Sequence, residues 1–259
     1  MDKAILAVSF GTAYAETRKK TIDAIEADLA AAFPERKLYT AWTSGMILRK
    51  LKARGEETRD SLPEALERME KDGVRDVLVQ TSFLQAGYEL RLVRETLEAW
   101  KPRFDRLALG ETLVAGQADL EALASALEAT FNKLGEDEVL ALMGHGSEEG
   151  DFNPYEKLTE LFRRRGRENF VTGTVEFQPG IEPVLELVEA RKPKKVVLAP
   201  LMIVAGDHAI NDMAGSEPDS WKNRIAALGP ETDCVLRGLG EYPEVRALLA
   251  DHARAAKAL

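Results

Sequence analysis

His145, His208 and His252 are the only imidazoles in the 259-residue chain, so any histidine chemistry must use them. His145 stands in Met143-Gly144-His145-Gly146, directly after an apolar run, and His208 in Ala205-Gly206-Asp207-His208, just past another. The glycines let the backbone turn sharply and let a large ligand come close to the ring. Glu176 ends a third apolar stretch that lies between the two histidines in sequence. Two imidazoles and a carboxylate suit a divalent first-row metal and leave coordination positions open. Glu89, in Ala86-Gly87-Tyr88-Glu89, is a further candidate acid. It fits equally well as a helix N-terminal carboxylate stabilised by the macrodipole. Asp207, Asn211 and Asp212 flank His208, either orienting it as acceptors or capping the segment that follows. His252, beside Asp251 near the end of the chain, reads as a surface residue, and Arg163-Arg164-Arg165 as a solvated helix face. The chain has no phosphate loop, no G-x-G-x-x-G after its first strand and no G-x-S-x-G elbow.

These residues are positioned by short apolar runs that alternate with longer amphipathic stretches. Strands are expected at 3–9, 37–42, 74–81, 106–109, 138–143, 170–176, 195–203 and 234–237. Helices are expected at 14–32, 44–54, 62–72, 88–101, 117–133, 154–165, 180–191, 217–228 and 242–257. Continuous runs such as Val196-Val197-Leu198 mark strands covered on both faces, and strand–helix alternation marks parallel α/β sheets. Pro200 is awkward inside a central strand and predicts a bulge or a departure from the sheet. Ser61-Leu62-Pro63-Glu64 reads as a helix start, and 55–61 as a charged, solvated connector.

The two halves of the chain resemble one another. Gly11 and Gly146 are 135 residues apart, as are Gly45 and Gly180; Val77 and Val196 are 119 apart, and Leu109 and Leu239 are 130 apart. Four matches in one order predict two similar flavodoxin-like lobes, each a four-stranded parallel sheet flanked by helices with right-handed crossovers. The division falls at 1–115 and 116–259, with the terminal helix able to pack across onto the first lobe. Ligands of such sheets bind beyond the carboxyl ends of the strands, where His145, Glu176 and His208 fall. If the lobes face one another, Glu89, which corresponds to His208, approaches the same cleft from the opposite wall.

Composition narrows the function. Lys+Arg number 35 and Asp+Glu 44, a formal charge of −9, which makes nucleic acid or an anionic membrane a poor partner. One cysteine, Cys234, rules out an internal disulfide and a multi-cysteine zinc site. The opening MDKAILAVSFGT is too short an apolar run for a signal segment or a membrane span, so a cytoplasmic protein without a leader is expected.

Ser9-Phe10-Gly11-Thr12, Thr43-Ser44-Gly45-Met46-Ile47, Met143-Gly144-His145-Gly146 and above all Gly206-Asp207-His208-Ala209-Ile210-Asn211-Asp212-Met213 resemble the anaerobic sirohydrochlorin cobaltochelatases of the CbiK type. Asp219-Ser220-Trp221-Lys222 and Gly238-Leu239-Gly240-Glu241 do so too, and the likeness runs from residue 3 to about residue 245. It implies a class II chelatase fold related to ferrochelatase, with two lobes around a tetrapyrrole cleft. The implied reaction inserts Co²⁺ into sirohydrochlorin, a precorrin-2-type tetrapyrrole of cobalamin biosynthesis, and releases two pyrrole protons. His145, Glu176 and His208 are the implied metal ligands. His145, Glu89 and His208 are the catalytic candidates, with His145 the first choice as proton acceptor. Gly11, Thr12, Ser44 and Arg49 are the tetrapyrrole-binding candidates. Arg49, with Lys50 and Arg54, either meets the carboxylates of the substrate rim or belongs to an exposed helix face. Some family members carry a histidine near the position of Phe83, and Phe83-Leu84-Gln85 offers none here. Co²⁺ is expected as substrate, with Fe²⁺ and Ni²⁺ equally suited to the donors, and no organic cofactor is expected. A sirohaem ferrochelatase and a non-enzymatic metal or tetrapyrrole carrier are the alternatives. A homo-oligomer is compatible with the sequence.

Overall fold

The computed structural model describes residues 2–147 and 152–259. Its strands, in chain order, are β1 (Lys3–Ser9), β2 (Lys37–Trp42), β3 (Asp60–Ser61), β4 (Asp76–Thr81), β5 (Arg106–Leu109), β6 (Glu138–Gly144), β7 (Phe170–Thr174), β8 (Lys195–Pro200), β9 (Glu231–Cys234) and β10 (Lys257–Ala258). The helices are α1 (Ala15–Lys20), α2 (Ile22–Ala32), α3 (Gly45–Ala53), α4 (Leu62–Lys71), α5 (Tyr88–Trp100), α6 (Gln117–Thr130), α7 (Pro154–Arg164), α8 (Glu182–Arg191), α9 (Trp221–Ala226) and α10 (Pro243–Arg254). The chain forms two compact units, Met1–Ala115 with Pro243–Leu259, and Gly116–Tyr242. The last helix and strand therefore belong to the first unit, where α10 packs on α2 and β4.

The first unit holds a six-stranded sheet in the order β10-β5-β4-β1-β2-β3. Its four longer strands are parallel, and β10 joins β5 antiparallel. Ala4, Ile5, Leu6 and Val8 of β1 are fully buried because helices cover both faces of the sheet. The second unit holds a four-stranded parallel sheet in the order β7-β6-β8-β9. Without the two-residue edge strands, the first order reads β2-β1-β4-β5, which matches the second strand for strand. The register agrees: Ala4 pairs with Val77 and Val139 with Val196, so the offsets of 135 and 119 describe one superposition. The fourth sequence match does not hold. Val77 pairs with Leu107 and Val196 with Thr232, which aligns Leu109 with Cys234 and leaves Leu239 five residues beyond it.

The other departures have local causes. The helix expected at 14–32 breaks at Thr21, whose φ is −116° and whose hydroxyl donates to the Thr17 carbonyl at 2.7 Å, a bond that competes with helix geometry. The last parallel strand is 231–234 rather than 234–237, because an edge strand needs no continuous apolar run and Glu231, Thr232 and Asp233 carry it. The connector at 55–61 ends by pairing with β2, and the chain after Arg254 turns from helix to strand. Pro200 is the final residue of β8: it has no N–H to donate, the pairing with β9 ends at Leu198, and Leu201 N–H still donates to the Met143 carbonyl of β6 at 2.8 Å. Helix 217–228 shrinks to α9, capped by Ser220, whose hydroxyl accepts from the Asn223 N–H.

Candidate metal centre

β6 ends on Gly144, and His145 follows immediately at the carboxyl edge of the second sheet. Gly146 has φ +92°, in the left-handed region, and a Cβ there would lie 2.8 Å from Phe177. A Cβ on Gly144 would lie 2.0 Å from the Tyr155 ring. Both glycines are therefore required by space, and the turn they make leaves the imidazole exposed. The His145 ring lies 5.1 Å from the His208 ring, centroid to centroid, at 75°. His208 precedes a single π-helical turn, Ala209–Met213, of the kind that recurs at functional sites. That turn brings Asp212 back to His208, with Nδ1 and Oδ2 2.7 Å apart.

These contacts assign the protons. His208 donates Nδ1–H to the Asp212 carboxylate, and His145 donates Nδ1–H to the Gly146 carbonyl at 3.1 Å. Each ring then keeps its Nε2 lone pair for a ligand. Of the expected ligands, the structure brings these two together. Glu176 lies two residues past β7, not within it, and its N–H donates to the His145 carbonyl at 3.1 Å. Its backbone is thus fixed beside His145 while its side chain is exposed. Among the described residues no three His, Cys, Asp or Glu side chains are grouped to hold an ion. A solvent-exposed glutamate on three rotatable bonds is not held by packing. Beside it is a hollow of about 720 Å³, lined by Glu176, Phe177, Gln178, Glu182, Trp221 and Arg224 among others.

The first unit carries the remaining candidates. Glu89 is half-buried in the first turn of α5, where the helix dipole favours its charge. Gly11 repeats the geometry of Gly146: its φ is +100°, and a Cβ would lie 2.8 Å from Trp42. Thr12 and Ser44 are buried, and their hydroxyls accept from Tyr14 N–H and Ile47 N–H. Arg49 and Lys50 are exposed on α3, and Arg54 pairs with Glu56 at 3.6 Å. His252 is half-buried on α10. Among the described residues of this unit, three large apolar side chains that the sequence did not single out as site residues are exposed: Phe10 after β1, Met46 in the first turn of α3 and Tyr88 at the start of α5. The offsets could have found one of them, because Phe10 occupies in the first half the place of His145 in the second. The Arg91 guanidinium lies 5.1 Å from the centre of the Tyr88 ring.

Comparison with known proteins follows the same lines. Residues 3–258 match the family described as cobalt chelatase (CbiK). The sirohydrochlorin cobaltochelatase of Salmonella typhimurium is 39% identical over 252 residues, covering 97% of this chain and 95% of that protein. The sirohydrochlorin cobaltochelatase CbiKC of Nitratidesulfovibrio vulgaris is 32% identical over 257 residues, covering 98% and 90%. Among solved structures, SirB from Bacillus subtilis, with Fe³⁺, superposes with a TM-score of 0.64 at 14% identity, covering 98% of this chain and 95% of SirB. CbiX, the terminal enzyme of sirohaem biosynthesis in denitrifying bacteria, gives 0.57 at 16% identity, covering 98% and 99%. At such identities these two likenesses concern the fold alone.

Proposed function

The chain belongs to the CbiK family of cobalt chelatases, and from that premise we propose how its residues insert Co²⁺ into sirohydrochlorin. The observation that carries the reading is the pair of imidazoles 5.1 Å apart, each with Nδ1 engaged and Nε2 available. His145 and His208 bind the incoming ion through Nε2, and the exposed Glu176 carboxylate swings in as the third donor. Three protein ligands leave positions for the ring nitrogens, so the ion passes from protein to macrocycle by ligand exchange. For each Co²⁺ inserted, two pyrrole N–H protons must leave. His145 takes one as its bond to the metal breaks, and Glu89 serves the other.

The macrocycle has apolar faces and a rim of acetate and propionate carboxylates. Phe10, Met46 and Tyr88 offer exposed apolar surface at the ends of three neighbouring strands. Arg49 lies one helical turn from Met46, and Arg91 stands against Tyr88, so these two apolar side chains each have a cation near them for the rim. Gly11, whose missing Cβ makes room for the buried Trp42 ring, shapes the turn behind Phe10, and Thr12 and Ser44 hold the loops that carry these residues. No helix among the described residues is long and apolar enough to cross a membrane. A cytoplasmic setting agrees with the lone, half-buried Cys234 thiol, whose pKa burial raises.

The test is an absorbance assay of sirohydrochlorin with purified protein and Co²⁺, Fe²⁺ or Ni²⁺ in turn. Many turnovers with Co²⁺ are expected. A reaction that stops at one product per protein would identify a carrier, and faster turnover with Fe²⁺ would identify a ferrochelatase.

A further inference from the structure

We propose that Tyr155 is a positioning residue for the metal site, holding His145 in place through the backbone of Gly146. The inference rests on the reading of His145 as a metal ligand. Tyr155 lies on the first turn of α7 and is 3% exposed, with no route for its side chain to reach an ion or a macrocycle. Its hydroxyl accepts the Gly146 N–H at 3.2 Å. Its ring fills the space beside Gly144, where a Cβ would meet Cε1 at 2.0 Å. One side chain therefore touches the residue before His145 and the residue after it.

Tyr155 is itself fixed at both of its backbone groups. Asn153 caps α7 by accepting from Tyr155 N–H at 3.0 Å and from Glu156 N–H at 3.4 Å. The Tyr155 carbonyl accepts from Thr172 Oγ1 of β7 at 2.7 Å, and Thr172 Oγ1 is 2.8 Å from Thr159 Oγ1 of α7. The neighbouring strand thus anchors the tyrosine, and the tyrosine anchors the loop. Burial raises the phenol to a pKa of about 12, so it stays neutral wherever the enzyme works. Without the hydroxyl, the Gly146 N–H would lose its partner and the left-handed turn would lose one of its constraints. His145 would then sample more orientations and meet the ion in fewer of them.

Titration of Co²⁺ into the protein without tetrapyrrole tests this, using Tyr155→Phe, His145→Ala and the double variant, with cobaltochelatase kinetics alongside. Tyr155→Phe is expected to weaken Co²⁺ binding by about three- to tenfold and to raise the KM for Co²⁺ by the same factor, with kcat at saturating metal changed less than about twofold. In the His145→Ala background, which keeps residual affinity through His208, adding Tyr155→Phe should change nothing further. Wild-type affinity in Tyr155→Phe overturns the proposal, as does an equal loss with and without His145, which would mark a general packing effect. If Tyr155→Phe does not melt cooperatively, Gly144→Ala decides. Its new Cβ displaces the ring while the hydroxyl remains, so weakened Co²⁺ binding supports the proposal and unchanged binding overturns it. If His145→Ala itself binds Co²⁺ like the wild type, the ligand reading fails and the proposal falls with it. If that variant loses the metal while Tyr155→Phe keeps it, the tyrosine proposal alone fails.

Discussion

An imidazole presents one lone pair to a metal, and which nitrogen carries it depends on what the other nitrogen touches. His208 meets the Asp212 carboxylate at 2.7 Å and His145 the Gly146 carbonyl at 3.1 Å, so both rings offer Nε2. His145→Ala and His208→Ala are each expected to lower cobalt insertion by more than about a hundredfold with the fold intact, since both lie beyond the ends of the strands rather than in the core. His252→Ala, in the other unit, should leave the rate unchanged. Steady-state kinetics with circular dichroism checks all three, and a large effect at His252 would move the site. Asp212→Asn keeps the shape but replaces an ionised acceptor by an amide, which weakens the hold on the His208 tautomer. A rise of about tenfold in the KM for Co²⁺ is expected, with a smaller change in kcat. Asp212 was legible in the sequence as a neighbour of His208. Tyr155 was not, because its role depends on where α7 crosses the end of β6, and no spacing records that.

Among the elements, Arg36 shows how the first sheet holds its strand starts together. Just before β2, its guanidinium donates to both Asp76 oxygens, at 3.0 and 3.1 Å, and to the Ala4 carbonyl of β1 at 3.2 Å. Burial alone would raise the Asp76 pKa, but Arg36, helped by Arg106, outweighs it and holds the carboxyl below its ordinary 3.8. A carboxylate depressed in the folded state stabilises the protein above the unfolded pKa, and that stability is lost as pH falls through the folded pKa. Asp76→Asn is therefore expected to cost about 1–3 kcal/mol at neutral pH, and the gap from wild type should close below the ordinary carboxylate range. Urea unfolding from pH 7 to pH 3 checks this, and a pH-independent gap would show that the charge is not the cause. Continuous burial made the central strands legible: β1, β2, β6 and β8 start where their apolar runs start. β3 and β10, of two residues each, are too short to carry a pattern. β9 is an edge strand with alternate residues half-buried, and polar residues hid it.

At the scale of the whole molecule, two units with the same strand order have taken different chemistry at matching positions. Phe10 stands where the second half has His145, and Glu89 where it has His208. The offsets of 135 and 119 in the sequence match the paired strands of the two sheets, and the offset of 130 does not. The placement of side chains within the two units was not legible, as the exposed carboxylate of Glu176 shows. The division separates two tasks that single substitutions can tell apart. Glu176 belongs to the unit that carries both histidines, and its N–H is bonded to the His145 carbonyl, so it shares their frame. Glu89 belongs to the other unit, in the first turn of α5. Glu176→Gln keeps the size and removes the charged donor, so Co²⁺ binding without tetrapyrrole should weaken by about tenfold and the KM for Co²⁺ should rise with it. Glu89→Gln should leave that binding within about twofold of wild type and lower kcat by about a hundredfold or more, the range of a lost proton-transfer group. Calorimetric titration of Co²⁺ into both variants, followed by turnover at saturating metal, decides between the roles. If Glu89→Gln loses the ion and Glu176→Gln retains it, the carboxylate donor lies in the first unit and the assignment of the two residues must be exchanged.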